Sequence, residues 1–232
     1  MLHYSLAFLH GEDRKEMTVQ HKPWNKEKAK RHAGWARIAS SFYYAPFARR
    51  IAASLSTAEN EPILVDLGCG SGILSVEVHR LLPYAKIIGV DPSRQMIEIA
   101  KGYASERERL NFEGRPGKAE EMPIQTNSVD LVFSQFSFHE WQDPAKGLSE
   151  VFRVLKRGAS IVLRDFNRAW FSGWKRGLLK LLIAAIGESL EDHLEMFRFS
   201  FKEVASLLKE AGFDEIEGKG KGMVLFIRGT KR

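Results

Sequence analysis

Everything else in this chain has to accommodate one stretch, Val65-Asp66-Leu67-Gly68-Cys69-Gly70-Ser71-Gly72. An apolar run, Ile63-Leu64-Val65, ends in an acid and a loop with glycine at every second position, and a helical pattern starts at Ile73. That order reads as a buried parallel strand turning sharply into a helix. Glycine admits positive φ and lets a ligand approach the main chain closely. The helix N-terminus adds unpaired N–H groups and partial positive charge. A dinucleotide fingerprint would need glycine at 68, 70 and 73. Position 73 is Ile and the third glycine falls at 72, so the dinucleotide fingerprint is not met.

A chain of 232 residues allows one α/β domain with extensions or two small ones. Its 44% hydrophobic content is that of a globular protein in water. The most apolar run, Leu178–Ile186, is interrupted by Lys180 and falls short of the about 20 residues a bilayer span takes. Leu2–Leu9 is followed at once by Glu12 and Asp13, unlike a secretory signal. A cytoplasmic protein is therefore expected. The single cysteine excludes an internal disulfide and a cysteine-cluster zinc site, and His3, His10 and His21 lack metal-ligand spacing, so no metal is expected. The net charge of +6 permits an anionic partner without establishing one.

Taken in order, residues 1–58 read as an arm with helices, and 59–232 as the main domain with a cap insertion at about 167–200. A helix is expected from Asn25 through Trp35, Ile38, Ala39 and Phe42, and another from Pro46 through Phe47, Ile51 and Leu55. Strands are expected at Pro62–Leu67, Lys86–Val90, Leu110–Glu113, Val129–Ser134 and Ser160–Arg164, the third cut short by Gly114 and Pro116. Asp91, about 20 residues past the glycine turn, ends the second strand where an acid can accept both ribose hydroxyls of a nucleoside. Asp91-Pro92-Ser93 opens a helix with Met96, Ile97 and Ala100 inward, and Met96 is placed where it can lie against a base. Asp143 caps a helix through Leu148, Val151, Phe152 and Leu155 that Arg157-Gly158 should end. Ala169–Leu190 reads as helical, Ser200 and Glu203 as a capping box, and Phe213–Glu217 with Met223–Arg228 as a closing hairpin.

Four blocks together resemble the class I S-adenosylmethionine (AdoMet)-dependent methyltransferases of the ubiquinone/menaquinone-biosynthesis type. They are Asp66–Gly72; Gly89-Val90-Asp91-Pro92-Ser93; Ala119–Ile124 leading to Ser128–Val132; and Glu150–Gly158. The resemblance implies a Rossmann-like, doubly wound, seven-stranded, mostly parallel sheet with an antiparallel last strand, N-terminal helices and a helical cap. It implies AdoMet as cofactor. The Gly68, Gly70 and Gly72 turn then approaches the methionine part, Asp66 helps hold its amino group, and Asp91 with Pro92 and Met96 serves the adenosine. Lys118, Ala119 and Glu120 fall beside the adenine and Gln135 near the sulfonium. Lys118 stands where the family usually has Asp or Asn, and a protonated lysine cannot accept from an amine, which leaves the Ala119 backbone contact. Such enzymes often close a tyrosine-bearing N-terminal helix over the cofactor, and Ser41-Phe42-Tyr43-Tyr44 is the matching stretch; packing of those aromatics onto the domain accounts for them equally well.

Methyl transfer from a sulfonium is an in-line displacement, so the protein's main tasks are positioning and desolvation. Some acceptors must also lose a proton. His139 follows the fourth strand at the carboxyl edge of the sheet and titrates near neutrality, which makes it the leading general-base candidate ahead of Glu140, His193 and Asp165. A purely structural hydrogen-bonding role is the alternative. Gln135-Phe136-Ser137-Phe138 is not the Asn/Asp-Pro-Pro-aromatic pattern of enzymes that methylate nucleobase or glutamine amines. A small-molecule methyl acceptor, apolar or aromatic, is the expected partner, with Trp170, Phe171, Trp174, Met196, Phe197 and Phe199 as candidate pocket walls. Two alternatives stay open. One is a lipid or quinone acceptor reached by peripheral membrane contact through Leu178–Ile186 with Lys175, Arg176 and Lys180. The other, less favoured, is nucleic acid bound by the basic Lys22–Arg37 region. Monomer and homodimer are both compatible with the sequence.

Overall fold

The computed structural model describes residues 43–56, 60–106, 110–171, 195–220 and 222–232. Seven strands alternate with helices: α1 Ala45–Ala53, β1 Ile63–Leu67, α2 Ile73–Leu81, β2 Lys86–Asp91, α3 Arg94–Ser105, β3 Phe112–Pro116, β4 Val129–Gln135, α4 Pro144–Val154, β5 Leu155–Phe166, α5 Phe201–Glu210, β6 Asp214–Lys219 and β7 Val224–Thr230. The sheet order is β3-β2-β1-β4-β5-β7-β6. The first five strands in that order are parallel, and β7 runs antiparallel to both β5 and β6. The order reverses between β1 and β4, which opens a crevice at their carboxyl ends.

Strand alternation sends each residue to one of two apolar layers. Leu64, Ile87, Leu131, Phe133 and Val162 meet Phe47 and Ile51 of α1 and Leu74 and Val78 of α2. Val65, Val132, Ile161 and Leu163 meet Leu148 and Val151 of α4 and Val204 and Leu208 of α5. Helix starts follow the caps: Ser93 Oγ accepts from Met96 N, Asp143 from Lys146 N, and Ser200 with Glu203 forms a reciprocal capping box.

Two boundaries depart from the sequence expectation. β3 begins at Phe112, runs through Gly114 and ends at Pro116. It is an edge strand, where a proline does not break a ladder, and Gly89 pairs with Gly114 and Asp91 with Pro116. Gly158 is not a helix C′ residue. α4 stops at Val154, because Leu155 is already extended and pairs with Val129. The register then jumps to Leu131 opposite Ser160, and Gly158, at φ +80°, takes the left-handed turn inside that bulge. The helix expected from Asn25, His193 and most of the expected Ala169–Leu190 helix lie outside the described residues.

The bulge receives a clamp from the chain's end. The buried Lys231 ammonium donates to Asn127 Oδ1 and to the carbonyls of Phe152 and Leu155, each at 2.7 Å. It thereby neutralises the C-terminal end of α4. Lys231→Met should lower stability by about 3 kcal/mol, since two carbonyls lose a charged donor in a dry site. Urea unfolding should show a lower midpoint at unchanged slope.

Candidate active site

The glycine turn is tied to β2. The N–H groups of Gly68 and Cys69 donate to Val90 O at 2.8 and 3.1 Å, and Gly70 N–H donates to Asp91 Oδ2 at 2.9 Å. Asp91 Oδ1 accepts from Ser93 N–H at 2.8 Å. Each Asp91 oxygen therefore keeps a lone pair for a further donor. Gly68 sits at φ +74°, and a Cβ there would meet Ser137 Oγ at 2.2 Å, whereas a Cβ on Gly70 would enter open space. Ser137 Oγ donates to Leu67 O at 3.0 Å and brings the end of β4 against the turn.

A cavity of about 1340 Å³ opens over these strand ends. That exceeds the roughly 300–1,000 Å³ of a single small-ligand pocket and leaves room for two molecules side by side. Every residue singled out from the sequence for the cofactor borders it: Asp66, Gly68, Gly70, Asp91, Pro92, Met96, Lys118, Ala119, Glu120 and Gln135, with the exception of Gly72. Gly72 is instead the left-handed residue that starts α2, packed against Ala100. Lys118 is exposed and lies one residue past Gly117, whose N–H donates to Asp91 O.

Two acids are buried in the wall with no cationic side chain paired to either among the described residues. Asp66 is 1% exposed, and its Oδ2 accepts from Ser75 Oγ at 2.7 Å. Burial pushes the Asp66 carboxyl up to about 7, against the Ser75 hydrogen bond and with help from the Asp91 charge. Burial also raises Asp91, partly offset by the N–H groups of Ser93 and Gly70. A ligand carrying a diol, an ammonium and a sulfonium answers this wall: hydroxyls for Asp91, positive charge for the two carboxyls. Cys69 is buried with its thiol held well above the ordinary value by burial and by Asp66 and Asp91, so it is no nucleophile. Among the described residues no His/Cys/Asp/Glu group could hold a metal ion.

On the other side of the cavity stands His139. Its Nδ1 lies 2.8 Å from Asp165 Oδ1, and its backbone N–H donates to Asp165 Oδ2 at 3.1 Å. Burial opposes the imidazolium, but the hydrogen bond and charge of Asp165, with the charge of Glu140, outweigh it and hold the ring's pKa above the ordinary value. Nδ1 is committed to Asp165, which leaves Nε2 as the remaining ring nitrogen, and His139 borders the cavity. Glu140 also borders the cavity.

Beside His139 runs an aromatic wall. Tyr43 stacks on Phe136 with centroids 5.7 Å apart, Phe136 meets Phe166 at 4.6 Å, and Phe166 meets Phe197 at 5.1 Å. Phe136 adopts φ +54°, a left-handed conformation costly for an aromatic residue. Of the residues named from sequence for the apolar pocket, Met196 borders the cavity and Phe197 backs Phe166, while Phe199 packs into the α4/α5 core layer. Trp170 does not border the cavity, and nothing is described of Trp174 or of the Phe171 side chain. Phe136, Ser137, Phe166 and Ser75 were not singled out for the site. The sequence signal of the first three is nearness to the ends of β4 and β5, while Ser75 lies in the first turn of α2.

Residues 65–163 match the Methyltransferase domain family. The chain is 27% identical over 172 residues to a demethylmenaquinone methyltransferase of Lactococcus lactis, covering 68% of each. It is 31% identical over 118 residues to that of Deinococcus radiodurans, covering 51% of this chain and 48% of the other. The chain thus spans about half to two thirds of the length of the curated relatives it matches. Among solved structures, it superposes with a TM-score of 0.66 on a SAM-dependent methyltransferase from Aquifex aeolicus, at 21% identity, covering 90% of this chain and 100% of that one. It also superposes on phosphoethanolamine N-methyltransferase 2 of Haemonchus contortus in complex with S-adenosyl-L-methionine, with a TM-score of 0.67 at 14% identity, covering 89% and 57%. At such identities these two show the fold. Fold, turn and matched domain together define a class I AdoMet-dependent methyltransferase. The chain is an enzyme of that class with AdoMet as its cofactor, and its sequence is similar to the demethylmenaquinone methyltransferases.

Asp66 gives a pH prediction. Burial pushes its carboxyl up to about 7, and if the cofactor's ammonium binds beside it the ionised form is favoured, so binding would lower its pKa and release a proton. Affinity for S-adenosylhomocysteine should rise as pH climbs from 5 to about 7 and level off above. Calorimetry in buffers of different ionisation enthalpy should read the released proton. The same raised pKa makes Asp66 favour folding least above pH 7, since the folded chain then loses a proton it binds more tightly than the unfolded one.

Proposed function

We propose that this enzyme transfers the methyl group of AdoMet to a small apolar or aromatic acceptor bearing an acidic proton, with His139 as general base. The observation that carries this is the buried His139–Asp165 pair beside the Tyr43–Phe136–Phe166 wall. When bound, AdoMet supplies a methyl group already activated on a sulfonium. Asp91 holds the ribose, the turn around Gly68 and Gly70 admits the main chain to close contact, and Asp66 takes the ammonium. The aromatic faces orient a planar acceptor and exclude water around it. His139 Nε2 takes the acceptor's proton as the nucleophile forms, and Asp165 balances the imidazolium. The test is turnover on a panel of hydroxylated aromatics and aliphatic amines, read as release of S-adenosylhomocysteine. Activity confined to the amines would overturn the reading.

A second reading is favoured by the demethylmenaquinone methyltransferase relatives: a quinol-type acceptor collected at a membrane surface. A quinol is itself a hydroxylated planar ring, so the same wall and base serve it. The segment proposed to dock, Leu178–Ile186, lies outside the described residues, and among those described no helix is long and apolar enough to cross a membrane. Co-sedimentation with anionic liposomes tests it, and absence of binding rejects it. The basic Lys22–Arg37 region, on which a nucleic-acid substrate would rest, also lies outside the described residues. That alternative requires RNA or DNA retention that weakens steeply with salt, and absence of any retention at low salt rejects it.

A further inference from the structure

His139 sits in a single 3₁₀ turn, Phe138–Glu140, on the loop after β4. A turn this short leaves its last carbonyls without partners inside it. Asp165, near the end of β5, takes the ring Nδ1 and the backbone N–H of His139. The carbonyl side is held by a residue far along the chain. Arg198 Nη1 donates to Trp141 O at 2.6 Å and, over a longer 3.4 Å, to His139 O. An acid and a cation from two distant segments thus grip one turn, and Nε2 is the polar atom of His139 that neither engages.

Arg198 belongs to the stretch that leads into α5, and that stretch is itself fastened. Arg168 N–H donates to Phe199 O at 2.9 Å, and Arg168 Nη1 donates to Arg198 O at 3.1 Å. The Arg168 guanidinium pairs with Glu203 of the α5 capping box. The Arg198 guanidinium lies 5.0 Å from the centre of the Phe199 ring, and that ring meets Phe138 of the turn edge-on at 5.1 Å. A planar cation resting on an aromatic face loses little further freedom when it donates. Just before Arg198, Met196 borders the cavity, and the buried Phe197 packs on Phe166. One short stretch therefore carries part of the apolar wall and the cation that holds the turn of His139. Burial and the Arg198 charge also draw the His139 ring toward its neutral form, against Asp165 and Glu140.

We propose that Arg198 is a positioning residue for methyl transfer: by holding the carbonyls of His139 and Trp141 it fixes the direction of His139 Nε2 toward an acceptor lying against Met196 and Phe166. The proposal rests on the reading of His139 as general base. It adds that the base is aligned from the acceptor's own wall. Proton transfer needs heavy atoms about 2.6–3.2 Å apart, so a turn free to swing by an ångström loses much of the rate. Asp165 orients the ring and balances its charge, and Arg198 fixes the backbone that carries it.

The experiment is a double-mutant cycle on kcat, read as S-adenosylhomocysteine release with the hydroxylated aromatic of the panel that turns over fastest. It compares wild type, Arg198→Met, His139→Ala and the double variant. Arg198→Met should lower kcat about 10–100-fold. Its KM for the acceptor and its calorimetric affinity for S-adenosylhomocysteine should stay within about twofold of wild type. Arg198 serves both carbonyls with one nitrogen, so Arg198→Lys should bring kcat back to within about fivefold of wild type. A residue that acts through His139 has nothing left to act on once the imidazole is gone, so Arg198→Met should change the residual kcat of His139→Ala by less than about twofold. Losses that multiply in the double variant, or a raised KM at unchanged kcat, would mean that Arg198 only braces the apolar wall, and either would overturn the proposal. Wild-type kcat in Arg198→Met would overturn it as well. Should Arg198→Met fail to fold, Arg198→Gln takes its place in the cycle. It keeps a neutral donor, roughly half as strong as a charged one, and should lose about fivefold or more in kcat; wild-type kcat there overturns the proposal equally. Wild-type kcat in His139→Ala, or wild-type protein that turns over no hydroxylated aromatic, would remove the general-base reading itself, and the proposal with it.

Discussion

Asp91→Ala should lose S-adenosylhomocysteine binding by about 100-fold or more. Two hydroxyl groups donating to a buried carboxylate are worth about 1.5–3 kcal/mol each, and every 1.4 kcal/mol is about tenfold in affinity. The carboxylate also orders its own surroundings, since Oδ2 accepts from Gly70 N–H and Oδ1 from Ser93 N–H. Asp91→Asn separates the two contributions. It keeps an acceptor for the turn but loses the charge and one acceptor oxygen, so its affinity should fall between those of the wild type and the alanine variant. Calorimetry gives the affinities, and thermal unfolding shows whether the turn has loosened. Wild-type affinity in Asp91→Ala would mean that the ribose lies elsewhere.

The second large effect concerns His139. If it takes the acceptor's proton, His139→Ala should reduce kcat by about 10²–10⁴-fold and leave the affinity for S-adenosylhomocysteine unchanged. A general base must be neutral, so kcat should rise with pH through the ring's raised pKa. Asp165→Asn removes the charge that raises it. The acid limb of the profile should therefore move to lower pH while kcat falls. A kcat loss in Asp165→Asn with the limb unmoved would mean that Asp165 only supports the backbone at His139 and Phe166, whose N–H groups it also accepts. Wild-type kcat in His139→Ala would end the general-base assignment.

In the proposed reaction the two sets of residues act on different parts. Asp66, Asp91 and Gln135 border the cavity from the ends of β1, β2 and β4, whereas His139, Phe136 and Phe166 stand on the loop after β4 and at the end of β5. Changes in the first set should appear in ligand affinity, and changes in the second in turnover. The proposed separation rests on the crevice where the strand order reverses, whose two sides these sets of residues line.

Local chemistry made much of this legible from residues alone. The glycine turn, Asp91 after its short apolar strand, and the Ser93, Asp143 and Ser200 caps all act within a few residues of themselves, so spacing suffices to find them. Gly158 misled for the same reason: a glycine after a helical run reads locally as a helix end, and only pairing of Leu155 with Val129 shows that the strand has already begun. Pro116 misled because nothing in the neighbouring residues says that β3 lies at an edge. The remaining features join residues far apart in the chain: Arg164 opposite Gln135, Lys231 on the carbonyls of Phe152 and Leu155, Asp165 under His139. Each depends on the register of strands whose partners are chosen by the packing of two whole apolar layers. A side chain's own sequence neighbours carry no record of which strand will lie beside it, so these contacts exist only once the sheet has assembled.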